Sequence, residues 1–116
     1  MPQPNLIPAV ELFNQRRFYD AHEAFEDLWR DSPEPGNKRF LQALVQLAVA
    51  FHHHSAGNAA GTSGVLARAI RNLEPYPAEY LGIQVAALRK AAREFQEAFG
   101  TGDKLLHLPR VIFFAE

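Results

Sequence analysis

The 116-residue chain reads as an all-α protein, a single-domain bundle of about five antiparallel helices spanning residues 1–116. Three observations carry this reading. Apolar residues recur at three- and four-residue spacings through most of the chain, the period of an amphipathic helix. Breakers separate the periodic segments, above all Ser32-Pro33-Glu34-Pro35-Gly36, Ser55-Ala56-Gly57-Asn58 and Gly100-Thr101-Gly102. One segment, Asn37 to Ala56, is apolar around most of its circumference, as a helix surrounded by protein must be.

Pro8 can open the first helix where a missing amide hydrogen does no harm, and Val10, Leu12 and Phe13 give it an apolar side through about Arg16. A tight turn at residues 17–19 leads into Phe18 to Trp29, FYDAHEAFEDLW, the stretch around which the chain is organised. Wound at about 100° per residue, Ala21, Phe25, Leu28 and Trp29 share an apolar arc with His22, while Glu26 lies about 40° to its other side. Asp20, Ala24 and Asp27 fall opposite, toward solvent. An i,i+4 spacing puts His22 and Glu26 within hydrogen-bonding reach at the border of the buried face, and the carboxylate favours a charged imidazole. Two readings stay open. Glu26 satisfies a half-buried histidine, or the pair is the tuned centre of a site. Asp20 and Glu23 stand at capping-box spacing, which assigns Glu23 a structural task. The helix should end near Asp31, before the proline-rich stop.

In the third helix Phe40, Leu41, Leu44, Val45, Leu47, Ala48 and Phe51 cover most directions. A narrow polar stripe interrupts them: Gln42, Arg39 and His53 fall within about 40° of Gln46. Buried amides and imidazoles need partners, and the preceding helix offers His22 and Glu26. The expectation is therefore one internal polar site built from His22, Glu26, Trp29, Gln42, Gln46, His53 and Asn58. His52, His53 and His54 cannot chelate together, since successive helical residues diverge by about 100°; only His53 lies on the stripe, with His52 turned to the apolar side and His54 to solvent.

Gly57 is placed to adopt the left-handed conformation that ends a helix, and Asn58 to cap the next, Ala59 to Leu73. There Val65, Leu66, Ala69, Ile70 and Leu73 point inward, and Gly61 and Gly64 suggest close helix packing at a cost of about 1 kcal/mol each in propensity. Residues 74–82, EPYPAEYLG, read as a loop. A last helix follows, with Ile83, Ala87, Leu88, Ala91, Ala92, Phe95, Ala98 and Phe99 on one side. The tail LLHLPRVIFF, residues 105–114, is too apolar to stand free and should pack on the body or on a second copy of the chain, which leaves a homodimer open.

Composition narrows the function classes. Twelve Lys and Arg against thirteen Asp and Glu give no electrostatic case for nucleic acid or an anionic membrane. No cysteine is present, so thiol catalysis, disulfides and thiolate metal sites are excluded, in keeping with a cytoplasmic protein. The N-terminus lacks the pattern of a signal peptide, and the longest apolar run, broken by Gln42 and Gln46, is too short to span a bilayer.

FYDAHEAFEDLW, followed by FLQALVQLAVAFHHHSAGN with Gly61 and then LARAIRNLEP, resembles the DUF309 family of small all-helical bacterial and archaeal proteins, over about residues 13–75. The resemblance implies that the family's first motif falls on His22, Glu23, Glu26 and Trp29, and its second histidine, four residues before Gly-Asn, on His53. His52 stands where an apolar residue is expected. The implied fold is a compact antiparallel bundle; no biochemical role comes with it. Two functions compete. One is a small helical binding or interaction domain for a small molecule or a protein, with the His/Glu/Gln site at its centre; an internal repeat of fixed period is missing. The alternative is a metal-assisted hydrolase in which His22, Glu26 and His53 hold a divalent ion that activates water, although the sequence lacks H-E-x-x-H and paired Glu-x-x-His repeats.

Overall fold

A computed structural model describes residues 4–102 and 106–111. It contains five helices, α1 (Ile7–Asn14), α2 (Phe18–Asp31), α3 (Pro35–Ser55), α4 (Ala59–Leu73) and α5 (Val85–Gly100), and a two-stranded hairpin, β1 (Glu79–Tyr80) with β2 (Ile83–Gln84). The all-α expectation holds. Helix α3 lies between α2 and α4, and its Phe40, Leu41, Leu44, Leu47, Ala48 and Phe51 are all buried, which explains why it is apolar nearly all round. The ring of Phe51 is the hub of the core: centroids of Phe13 from α1, Phe18 from α2 and Phe95 from α5 lie 6.0, 5.6 and 5.0 Å away.

Two of the helix joints share one chemistry. At the end of α1, the Arg16 amide donates to the Phe13 carbonyl and the Arg17 amide to Leu12, both at 3.0 Å; this is the Schellman pattern, and it requires a left-handed residue. Arg16 supplies it at φ 67°, where glycine is the usual choice, so α1 stops at Asn14 and short of the expected end. The α3–α4 joint repeats the pattern with Gly57 at φ 77°, its amide bonded to His54 and that of Asn58 to His53.

The capping box assigned to Asp20 and Glu23 is not formed. Helix α2 begins at Phe18 with Arg17 in the capping position and no side-chain cap. Phe18 is buried against Phe13 and Phe51, and this packing starts the helix before Asp20 can cap it. Asp20 instead accepts from the Arg17 guanidinium at 2.7 and 3.0 Å, and Glu23 is exposed.

At the start of α3, Pro35 takes the first turn and the Glu34 carboxylate accepts the amides of Gly36 at 2.8 Å and Asn37 at 2.7 Å. The Gly36 amide, and then that of Asn37, lower the Glu34 pKa. A carboxyl lowered on folding stabilises the fold above its unfolded pKa, and that contribution is lost as pH falls through the folded value. Thermal melting of wild type beside Glu34→Gln, from neutrality down through the usual carboxylate range, should show the wild type more stable at neutral pH and the gap closing in acid. A gap constant with pH would show that the charge at this cap contributes nothing.

The stretch read as a loop after α4 contains the hairpin. Leu81 and Gly82 both adopt positive φ, 48° and 82°, as a two-residue type I′ turn demands; a leucine there is an unusual occupant, which is why the sequence showed no hairpin. Tyr80 of the hairpin and Tyr76 just before it fasten this stretch to the start of α3: the Tyr76 hydroxyl donates to the Gly36 carbonyl and the Tyr80 hydroxyl to Asn37 Oδ1, each at 2.6 Å. Arg89 of α5 donates to the carbonyls of Leu73 and Tyr76, closing the end of α4.

The tail residues 106–111 pack on the body. Val111 is buried, its amide donates to Asn14 Oδ1, and Asn14 Nδ2 donates to its carbonyl, both at 2.9 Å. Arg110 is exposed. The remaining tail residues, 105 and 112–114, lie outside the described residues. Among the described residues no helix is long and apolar enough to cross a membrane.

Candidate functional site

The seven residues expected to share one polar site lie in three places. On α2, His22 Nε2 stands 3.1 Å from Glu26 Oε2, the i,i+4 contact expected from their spacing. The other Glu26 oxygen accepts from Arg30 at 3.2 Å, and Arg30 also reaches Asp27. His22 is the more buried partner, with 25% of its side chain exposed against 41% for Glu26. Trp29 is half-buried one turn on, with the Lys38 ammonium of α3 4.6 Å from its ring centroid, within cation–π range.

The imidazole that approaches this face is that of His52. Its ring lies 5.5 Å from Tyr19, whose ring lies 5.8 Å from His22. Tyr19 stands between the two histidines with its residue 54% exposed. The directions assigned within the histidine tract are thus reversed. His52 is exposed beside α2, whereas His54 is half-buried, edge-on to Phe95 and Phe99 at 5.2 and 5.6 Å.

The polar stripe on α3 exists, but it faces α4. Gln46 Oε1 accepts from Asn72 Nδ2 at 2.7 Å. Gln42 is exposed, where it lines a cleft of about 400 Å³ with Arg39, Arg71, Asn72, Pro75 and Tyr76. Burial raises the Tyr76 pKa, neighbouring Tyr80 adds to it, and the Arg39 cation opposes both. Burial likewise raises that of Tyr80. Neither Gln46 nor Gln42 meets His22 or Glu26.

His53 and Asn58 form the third group, at the α3–α4 joint. Asn58 Oδ1 accepts the Gly61 amide at 2.9 Å, and its Nδ2 lies 3.3 Å from His53 Nδ1. Donation from the asparagine amide leaves the ring proton on Nε2. Thr62 donates its hydroxyl to the Asn58 carbonyl at 2.7 Å. A Cβ on Gly61 would stand 2.8 Å from His53 Cγ and 2.7 Å from Asn58 Nδ2, so the glycine allows the close approach expected of it. Gly64 has open space instead. These contacts of His53 and Asn58 stitch the two helices together.

Among the described residues no three His, Asp or Glu side chains form a group that could hold a metal ion, so His22, Glu26 and His53 do not converge as a metal triad. The residues that sequence reasoning left out of the site are Tyr19, His52, Arg71, Asn72 and Tyr76. For Tyr19 a signal existed, an aromatic on the solvent side of an amphipathic helix. For the other four, the packing of α3 on its neighbours decides their place.

The family described as Domain of unknown function (DUF309) matches residues 6–65, just over half of the sequence. The chain belongs to the DUF309 family. That match takes in α1, α2, α3 and the first half of α4. This DUF309 chain is also similar to the uncharacterized protein YpuF of Bacillus subtilis (strain 168), 33% identical over 102 residues that cover 86% of the chain and 59% of YpuF. An uncharacterized protein of Aquifex aeolicus (strain VF5) is 27% identical over 98 residues, 84% of the chain and 28% of that protein. The DUF309 chain thus spans less than two thirds of either relative's length.

Proposed function

We propose that the chain is a small helical binding domain that docks a protein partner on the outer edge of the α2–α3 pair, where Tyr19, His22, Glu26 and Trp29 stand beside Lys38 and His52. The observation that carries this reading is Tyr19: a large aromatic, half exposed on a rigid helix and flanked by two imidazole rings. Such an aromatic loses little side-chain freedom on binding, and tyrosine is enriched among residues that dominate interface energies. The Glu26 carboxylate, shared by His22 and Arg30, and the Lys38–Trp29 contact give the flanks fixed charges that select a partner.

The test is site-specific photo-crosslinking in the source cells, with a benzophenone amino acid at position 19 and, as a control, at the exposed position 90 on α5. One defined protein adduct at 19 and none at 90 is expected. Binding of that partner to purified Tyr19→Ala should then fall about tenfold or more, the effect of losing an interface anchor. The same adducts at both positions, or none at 19, would sink the proposal. The hydrolase reading makes a different prediction, checked by elemental mass spectrometry of untagged protein. Near-stoichiometric divalent metal that is lost in His22→Ala would replace the binding reading with a metal centre.

A further inference from the structure

On another face of α3, we infer that the cleft between α3 and α4 is an anion site that takes a phosphate-bearing small molecule. Arg39 and Gln42 come from α3, Arg71 and Asn72 from α4, and Pro75 and Tyr76 from the segment that follows. The two arginines line one concave space with no acidic residue among its walls. Among the described residues neither the Arg39 nor the Arg71 side chain makes an ion pair or a hydrogen bond. This sets them apart from Arg17, Arg30 and Arg93, which are paired with Asp20, Glu26 and Glu74.

The other walls of the cleft are fixed. Asn72 is held by Gln46 at 2.7 Å. The Tyr76 hydroxyl is committed to the Gly36 carbonyl, and its ring is braced by Phe40 and Tyr80 at centroid distances of 5.1 and 4.8 Å. Gln42 is exposed and, among the described residues, its side chain is unbonded, so the side-chain amide can donate. The nearby Glu34 carboxylate is occupied by the Gly36 and Asn37 amides. Two guanidinium forks match the charge of a phosphate monoester dianion and offer its oxygens paired donors. A cleft of about 400 Å³ has the size of a small-molecule site, and the braced Tyr76 ring provides a wall for a planar group. The inference is independent of the α2 face, and a failed cross-link at Tyr19 leaves it standing.

The experiment is an amide-detected NMR titration of the full 15N-labelled chain at constant ionic strength. The probes are phenyl phosphate, inorganic phosphate, benzoate and a short single-stranded RNA. Saturable shifts confined to the amides of Arg39, Gln42, Arg71, Asn72, Tyr76 and their neighbours are expected with phenyl phosphate. Arg39→Gln and Arg71→Gln should each weaken binding about tenfold or more, as loss of a charge-assisted contact does. Arg68→Gln, the same charge change on α4 outside the cleft, should leave it unchanged. Equal weakening by Arg68→Gln, insensitivity to the two cleft variants, or shifts that do not saturate would overturn the site. Benzoate binding as tightly as phenyl phosphate would overturn the choice of phosphate, and tighter RNA binding at the same amides would overturn the small-molecule class. Inorganic phosphate should bind more weakly than phenyl phosphate; equal binding would remove the role given to the Tyr76 ring.

Discussion

Replacing Phe51 with alanine should destabilise the chain by about 3–5 kcal/mol, the cost of deleting a fully buried phenyl ring from a packed core. Against a total of about 5–15 kcal/mol for a typical domain, that loss brings the native state close to unfolding. The position matters because of what meets there. Phe51 is 0% exposed, and the rings around it come from α1, α2 and α5, so one truncation loosens three helices from α3. Edge-on aromatic geometry at the Phe13 and Phe95 contacts adds to the area term. Urea unfolding followed by far-ultraviolet circular dichroism checks this, with Tyr19→Ala as a surface comparison expected to stay within about 0.5 kcal/mol of wild type. A Phe51→Ala loss under about 1 kcal/mol, well below the range for such truncations, would show that the ring is not the centre of the core.

A pair of glycine substitutions in one helix should act in opposite directions. Gly64→Ala introduces a methyl into open space and should stabilise by about 0.4–1 kcal/mol, because alanine restricts the unfolded chain and suits the helix. Gly61→Ala places its Cβ within 2.8 Å of His53 Cγ and 2.7 Å of Asn58 Nδ2. The His53 ring is rooted in α3, and the Asn58 side chain cannot swing away without releasing the Gly61 amide it caps. Overpacking of this kind costs about 1–3 kcal/mol, with the cap worth about 1 kcal/mol more if it breaks. Melting of both variants beside wild type decides it. If both substitutions stabilise, the α3–α4 joint is looser than these contacts require.

This joint bears on how the family motif is understood. His53 and Asn58 attract attention as a possible ligand pair, yet each contact they make belongs to a turn: a Schellman closure, an asparagine cap and an imidazole braced against it. The structural content of H-x-x-x-G-N is therefore complete without a ligand. The α2 motif differs, since Tyr19, His22 and Glu26 all retain exposed surface.

Much of this molecule is legible in the residues alone because helical period, proline and glycine act locally. The end of α2, the extent of α4, the Gly57 reversal, the Asn58 cap and the His22–Glu26 contact each follow from spacings within a few residues. The polar stripe on α3 is legible too. Which neighbour it faces is not: winding fixes angles about one helix axis and carries no information on where the next helix lies. Packing around Phe51 turns the stripe toward α4, so Gln46 meets Asn72 and His52, not His53, meets the α2 face. The same limit hid the cleft, whose arginines stand far apart in sequence and become neighbours only when α3 and α4 pack side by side. Local chemistry thus wrote the helices and their caps, whereas the choice of which polar groups share a surface came from burying large apolar side chains, a non-directional force that depends on the whole chain.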